Sequence, residues 1–378
     1  MVWSNKKNMT SITSWLKNSR YTPPLSQGCK QCSQGSKLVL LITGLCPANC
    51  FYCPLSFKKK DNDVIYANEW KLKNEKDTET ILNEATLIDA QGAGITGGDP
   101  FSVWERTIRY IHLLKNHYDE TFHIHLYTSG LVNANKILEV IDAGLDEIRF
   151  HPMPQTWNKM EKNPIKKAIN TAVDSAADVA IEIPAIPGMK KEIIHLIEWA
   201  EHQHIDYINL NELEFSEQNE DALYQKGFIT KNDLSAAVKN SETTAQQIID
   251  HIAQMNLDIG VHYCSASFKD AIQLTNRMKR RATHIAHSFD IITKQGTIIK
   301  GVIDHIKQEK KDEIIFILNA HHINNNEYCY QKNKQRIEIN PHLLEKIALS
   351  LKNKGYHCFL IEEYPTKDAL EVERQPLQ

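Results

Sequence analysis

At 378 residues the chain has room for two or three domains and for a large core without disulfides. Hydrophobic residues at 42% and charged residues at 24% are ordinary for a soluble globular protein, and a net charge of −3 excludes a global pull toward nucleic acid or membrane. No stretch approaches the roughly 18–20 apolar residues of a bilayer span. The opening "MVWSNKKNMTSITSWLKNSRYTPPL" lacks the apolar run of a signal peptide, so a cytoplasmic chain with reduced thiols is expected.

An N-terminal segment, residues 1–35, ends in "GCKQC" and places Cys29 and Cys32 at metal-knuckle spacing. From there to residue 284, short β-rich runs alternate with amphipathic ones. Strands are expected at 38–44, 92–97, 122–128, 147–151, 179–185, 207–213 and 258–263. Helices such as "WERTIRYIHLLKNHY", "ANKILEVIDAG" and "KKEIIHLIEWAEHQ" lie between them. In the second of these, Ile137, Leu138 and Ile141 form a helical stripe that Gly144 closes. This rhythm means α/β architecture with a parallel sheet, either doubly wound or a full or partial barrel. Residues 216–243 read as a polar insertion with a short helix. Residues 285–378 read as a small α+β domain: a hairpin turning at Gln295 and Gly296, strands at "EIIFILNA" and "YHCFLIEEY", and the helix "PHLLEKIALSLKNKG".

Chemistry concentrates where strands end. "GLCPANCFYC" sets Cys46, Cys50 and Cys53 on the loop leaving the first strand, the end where α/β barrels build sites. The three are too close to pair sensibly, and an odd number leaves one over. Soft thiolates suit iron–sulfur, zinc or copper(I). A four-iron cluster held by three cysteines leaves one iron for a non-protein ligand, whereas structural zinc wants a fourth protein ligand, which this loop lacks. "ITGGDP" ends the second strand, and later strand ends carry Thr128 and Ser129, Arg149 and His151, Glu182 with Ile186, and Asn209, Asn211 and Glu212.

The spacing Cys-x3-Cys-x2-Cys, with Tyr52 before the last cysteine, resembles the signature of the radical S-adenosylmethionine enzymes over residues 36–215. "GGDP" is similar to that family's Gly-Gly-Glu-Pro motif, with Asp99 in place of the glutamate. The resemblance implies a partial (β/α) barrel of about six to seven parallel strands with a small C-terminal α+β domain. It implies a [4Fe-4S] cluster on Cys46, Cys50 and Cys53, and S-adenosylmethionine on its open iron. Reductive cleavage would then yield a 5′-deoxyadenosyl radical that abstracts a hydrogen atom. Gly97, Gly98 and Asp99 would cradle the methionine end. Tyr52, Ser129, Arg149 and Glu182 would approach the cofactor's polar groups, and Ile186 its adenine. An electron donor of ferredoxin or flavodoxin type is implied as well.

More narrowly, "GCKQCSQGSKLVLLITGLCPANCFYCP" resembles a mostly archaeal group related to pyruvate formate-lyase activating enzyme, which points to a protein or peptide substrate. Two rivals stand beside this reading. One is tRNA modification, with the basic "RMKRR" (277–281) and the small domain as recognition surface, against the plainer reading of a solvated helix face. The other is a non-catalytic iron–sulfur or zinc protein. Cys29, Cys32 and Cys264, with His262, are candidates for a second zinc or iron–sulfur site, although Cys32 precedes a strand and Cys264 follows one. Cys329 and Cys358 read as structural.

Overall fold

The computed structural model describes residues 10–377; the expectation for the opening residues 1–9 lies outside them. The chain divides into two compact units that meet between Leu274 and Thr275.

In the first unit, seven parallel strands pair in sequence order: β1 (Lys37–Leu41), β2 (Gly92–Thr96), β3 (His123–Thr128), β4 (Glu147–Phe150), β5 (Asp178–Ala185), β6 (Tyr207–Glu212) and β7 (Gly260–Cys264). β1 and β7 do not meet, so the barrel is partial. The short pair Tyr66–Ala67 and Trp70–Lys71 extends the β1 edge. The hairpin Thr13–Ser14 and Arg20–Thr22 extends the β7 edge, antiparallel. The helices after α1 (Gln27–Ser33) include α2 (Thr78–Thr86), α3 (Trp104–Tyr118), α4 (Ala134–Asp142), α5 (Lys166–Val173), α6 (Lys190–His202) and α7 (Ser241–Met255).

Strand periodicity sorts the side chains. Ile124, Leu126, Ile148, Phe150, Ile181, Ile183, Ile208 and Leu210 join helix residues such as Ile111, Leu114, Ile137, Leu196 and Ile248 in one core. Each such burial stabilises by about 1.5–3 kcal/mol. The alternate positions are polar: His125, Tyr127, Arg149, His151, Glu182, Asn209 and Asn211. α1 lies against β1, β2 and β3 at the strand starts, where Gln31 Nε2 donates to the Gln91 carbonyl at 3.2 Å. Ser26 caps it by accepting from Cys29 N. The N-terminal segment, where described, is thus part of the first unit.

The second unit is an antiparallel sheet ordered β9-β10-β8-β11-β12, from β8 (Ile298–Asp304), β9 (Tyr328–Gln331), β10 (Arg336–Ile339), β11 (His357–Glu363) and β12 (Glu371–Pro376). Ile291–Ile292 pairs with β8 across a turn at Gly296, whose φ is +87°. Its helices are α8 (Thr275–Ile285), α9 (Lys311–Ala320) and α10 (Pro341–Lys352).

Two expectations are corrected here. "EIIFILNA" is helix α9, not a strand: Ile314, Ile317 and Leu318 are buried at helical spacing, while Phe316 is 76% exposed. The division falls ten residues before the expected 284/285, because α8 belongs to the second unit. There Arg281 Nε donates to the Pro365 carbonyl, and Gly296 lies against Met278 and Lys279.

Candidate active site

A cavity of about 500 Å³ occupies the barrel, lined at its C-terminal mouth by Cys46, Cys50 and Cys53 and deeper by Tyr127, Glu182 and Asn211. The cysteine loop is placed by backbone. Gly98 N donates to Thr43 O at 2.8 Å, and Asp99 N to Leu45 O at 2.7 Å. A Cβ at Gly97 would overlap the Thr43 carbonyl, and one at Gly98 the Leu45 carbonyl; Gly97 also has φ +143°. These glycines are therefore required by the approach of the cysteine loop, where the sequence suggested approach to a cofactor. Both still line the cavity.

Asp99 is likewise turned to the protein. It is 1% exposed, and its carboxylate accepts from Phe101 N (3.0 Å), Thr128 Oγ1 (3.1 Å), Ser129 N (2.9 Å) and Ser129 Oγ (2.5 Å). Burial pushes its carboxyl up in pKa, against the pull of these bonds. It knots the end of β2 to the end of β3. Ser129 reaches the cavity wall with its hydroxyl already committed to Asp99.

Arg149 lies beneath the cavity with its side chain 3% exposed, not on the lining. Its Nε donates to Glu147 Oε1 and its NH1 to Glu182 Oε2, both at 2.7 Å, while NH2 reaches Ser26 Oγ at 3.1 Å. Glu182 does face the cavity, held also by Asn209 (3.1 Å) and Asn211 (2.8 Å). Ile186 is 2% exposed within the apolar core and does not line the cavity. Tyr52 lines it, its hydroxyl 2.8 Å from His151 Nε2, and its carbonyl accepts from Asn219.

Cys29, Cys32 and Cys264 do not converge as a zinc site would: among the described residues they form no set with donor atoms within 4.8 Å of one another. Cys29 Sγ instead takes Arg149 NH2 at 3.6 Å, and Cys264 Sγ takes Gln273 Nε2 at 3.6 Å. Burial pushes the Cys32 thiol up to about 11. Cys32 lines the main cavity. Sequence reasoning missed Lys37, His125 and Tyr127 on the cavity floor, and Lys269, ion-paired with Glu214, on its wall. The i, i+2 polar pairs on β3 and β6 were the available signal.

The three loop cysteines are free thiols, partly exposed, on the wall of one cavity of a size suited to a small-molecule ligand. Burial raises the Cys46 thiol to about 11 and the Cys50 thiol above its ordinary value, so loading a metal there displaces protons. Soft sulfur donors beside a carboxylate and carboxamides fit an iron–sulfur cluster with a polar organic cofactor.

Comparison with known proteins agrees with this chemistry. Residues 40–200 match the radical SAM superfamily, and residues 296–377 match a "Domain of unknown function (DUF8061)". The chain is 40% identical over 361 residues to the "Putative glycyl-radical enzyme activating enzyme" of Methanocaldococcus jannaschii, covering 93% of each chain. Among solved structures it is similar to methylornithine synthase (13% identity, 65% of this chain and 79% of that one, TM-score 0.40). It is also similar to SuiB of Streptococcus suis bound to S-adenosylmethionine (14% identity, 70% and 55%, TM-score 0.40). These two likenesses are too distant to bear on function. The extended identity to the archaeal relative and the match across the barrel establish that the chain belongs to the radical SAM superfamily of enzymes.

Proposed function

We propose that Cys46, Cys50 and Cys53 hold a [4Fe-4S] cluster, that S-adenosylmethionine binds in the cavity beside it, and that the enzyme removes a hydrogen atom from a glycine of a protein substrate. The observation that carries the site is that three unpaired cysteines and the docked "GGDP" turn line one cavity. The protein substrate rests on the 40% identity to the archaeal putative activating enzyme of glycyl-radical enzymes. When bound, cluster and cofactor supply a carbon radical, made with one electron from an external donor of ferredoxin or flavodoxin type.

The protein's part is to bind, orient and exclude. Glu182, held by Arg149 and two asparagines, presents a fixed acceptor to hydroxyl or ammonium groups. Asn211 adds an amide on the same wall, and the Tyr52–His151 pair fixes the cysteine loop against the end of β4. Gly97, Gly98 and Asp99 keep the loop in register with β2. The tRNA reading is less well supported, because Arg281 is buried on a carbonyl and Arg277 and Arg280 also have protein partners.

The test supplies reduced, cluster-loaded enzyme and S-adenosylmethionine with protein and RNA fractions of the native cell, separately. Stimulated cofactor cleavage by the protein fraction, with an electron-spin doublet from a radical coupled to one α-hydrogen, is expected. Stimulation by the RNA fraction alone would overturn the substrate assignment.

A further inference from the structure

We propose that His123, His125 and Glu147 form a binding site for a divalent first-row transition metal, zinc under ordinary supply, at the N-terminal mouth of the barrel. This site is separate from the cysteine loop and does not depend on the reading above.

His123 and His125 stand two residues apart on β3, and His125 pairs in register with Glu147 on β4. One donor atom from each lies within 4.8 Å of the others, and His123 Nε2 is 3.6 Å from Glu147 Oε2. Tetrahedral zinc with N and O ligands needs donor separations of roughly 3.3–3.6 Å, so little closure is required.

Two of the donors are idle. His125 Nδ1 and Glu147 Oε2 are buried with no hydrogen-bond partner, in residues 2% and 0% exposed. An unpaired buried donor or acceptor is costly, a cost that ligation would remove. The far side of each ligand is already engaged. His125 Nε2 meets the Tyr127 hydroxyl at 3.2 Å, and Glu147 Oε1 accepts from Arg149 at 2.7 Å; Lys37 Nζ, 2.8 Å from His123 Nδ1, leaves Nε2 free to ligate only as the neutral amine that accepts Nδ1–H. Such outer partners orient metal ligands.

The space before the orphans is kept open by a glycine. A Cβ on Gly28 of α1 would stand 2.9 Å from both His125 Nδ1 and Glu147 Oε2. It would also stand 2.6 Å from Arg149 NH2, the competing cation, which is itself tied to Ser26 Oγ and flanked by Glu147 and Glu182.

There is also a way in. A second cavity of about 430 Å³ at this mouth is lined by His123 together with Glu120, Asp178, and Asp146, which Lys115 neutralises, so Glu120 and Asp178 are left to draw cations to the exposed side of the site. In the second unit His287, Cys329 and Glu338 also approach one another, but Arg336 and Lys300 already occupy both Glu338 oxygens.

The donor set of two imidazoles and a carboxylate gives the test a spectroscopic readout. The full chain with Cys46, Cys50 and Cys53 replaced by alanine is titrated with cobalt(II) and, separately, zinc. About one equivalent should bind, with ligand-field bands and no sulfur-to-cobalt charge transfer. Adding His123→Ala or His125→Ala should weaken uptake at least about tenfold, with far-UV circular dichroism unchanged. If His125→Ala fails to fold, the partly exposed His123 variant and the parent spectrum decide. No uptake by the parent, uptake unaffected by either histidine change, or a charge-transfer band marking Cys29 or Cys32 would overturn the proposal.

Discussion

At the C-terminal mouth of the barrel the cysteine loop is seated by main-chain groups, with Gly98 N and Asp99 N on the carbonyls of Thr43 and Leu45. At the N-terminal mouth α1 is seated by side chains, through Ser26 and Cys29 on Arg149, whose other nitrogens hold Glu147 and Glu182. A main-chain seat needs only that two segments can come close, which is why glycine is required there. A charged seat needs every partner, because removing one leaves buried charge uncompensated. The C-terminal mouth can carry exposed thiols for chemistry, while the N-terminal one fixes the floor beneath them.

The largest expected break in this contrast is Arg149→Met. It leaves Glu147 and Glu182 without their shared cation, and urea unfolding should show a loss of about 3–5 kcal/mol. Iron bound per folded molecule should hold steady, because the loop's seat is elsewhere. A variant of full stability would mean that the network does not hold this mouth together.

His262 sharpens the same side by pH. It is buried beside Tyr21 and Trp15, with Nδ1 3.3 Å from Asn209 Oδ1. Burial first, then the charge of Arg149, lowers its pKa from 6.5 to about 4. The unfolded chain therefore takes up a proton that the folded chain refuses. Stability present above pH 6.5 is lost as pH falls toward 4, by about 3 kcal/mol. His262→Gln should flatten that part of the pH–stability curve; an unchanged slope would contradict the assignment.

The smallest effect belongs to the main-chain seat. Gly98→Val should cost about 1–3 kcal/mol of local strain and lower iron loading and S-adenosylmethionine affinity together. Lost cofactor affinity with iron intact would instead return the glycine to a direct role at the cofactor.

These contrasts also mark what could be read from the chain alone. The alternation of strands and helices was legible because helix-facing residues such as Ile148 and Phe150 repeat at strand period. The cysteine loop was legible because local spacing carries its chemistry. The inward polar set was legible only in part: Glu182 and Asn211 stood out at strand ends and line the cavity, whereas Lys37, His125 and Tyr127 did not, since a polar residue in a strand reads the same whether it faces water or a barrel interior. The seat of Gly97 and Gly98 on the cysteine loop was not legible, because Thr43 and Leu45 are about fifty residues away in sequence. α9 was mistaken for a strand because a short apolar run does not separate the two periods.

The central claim, that the C-terminal mouth is a radical-generating site, is tested most directly by cofactor cleavage. Anaerobically reduced protein carrying about four irons is incubated with S-adenosylmethionine, and 5′-deoxyadenosine is measured against time. Slow formation by the native chain, and none by the Cys46, Cys50, Cys53 triple alanine variant, is the expected result. No product from the iron-loaded native chain, or equal product from both, would contradict it.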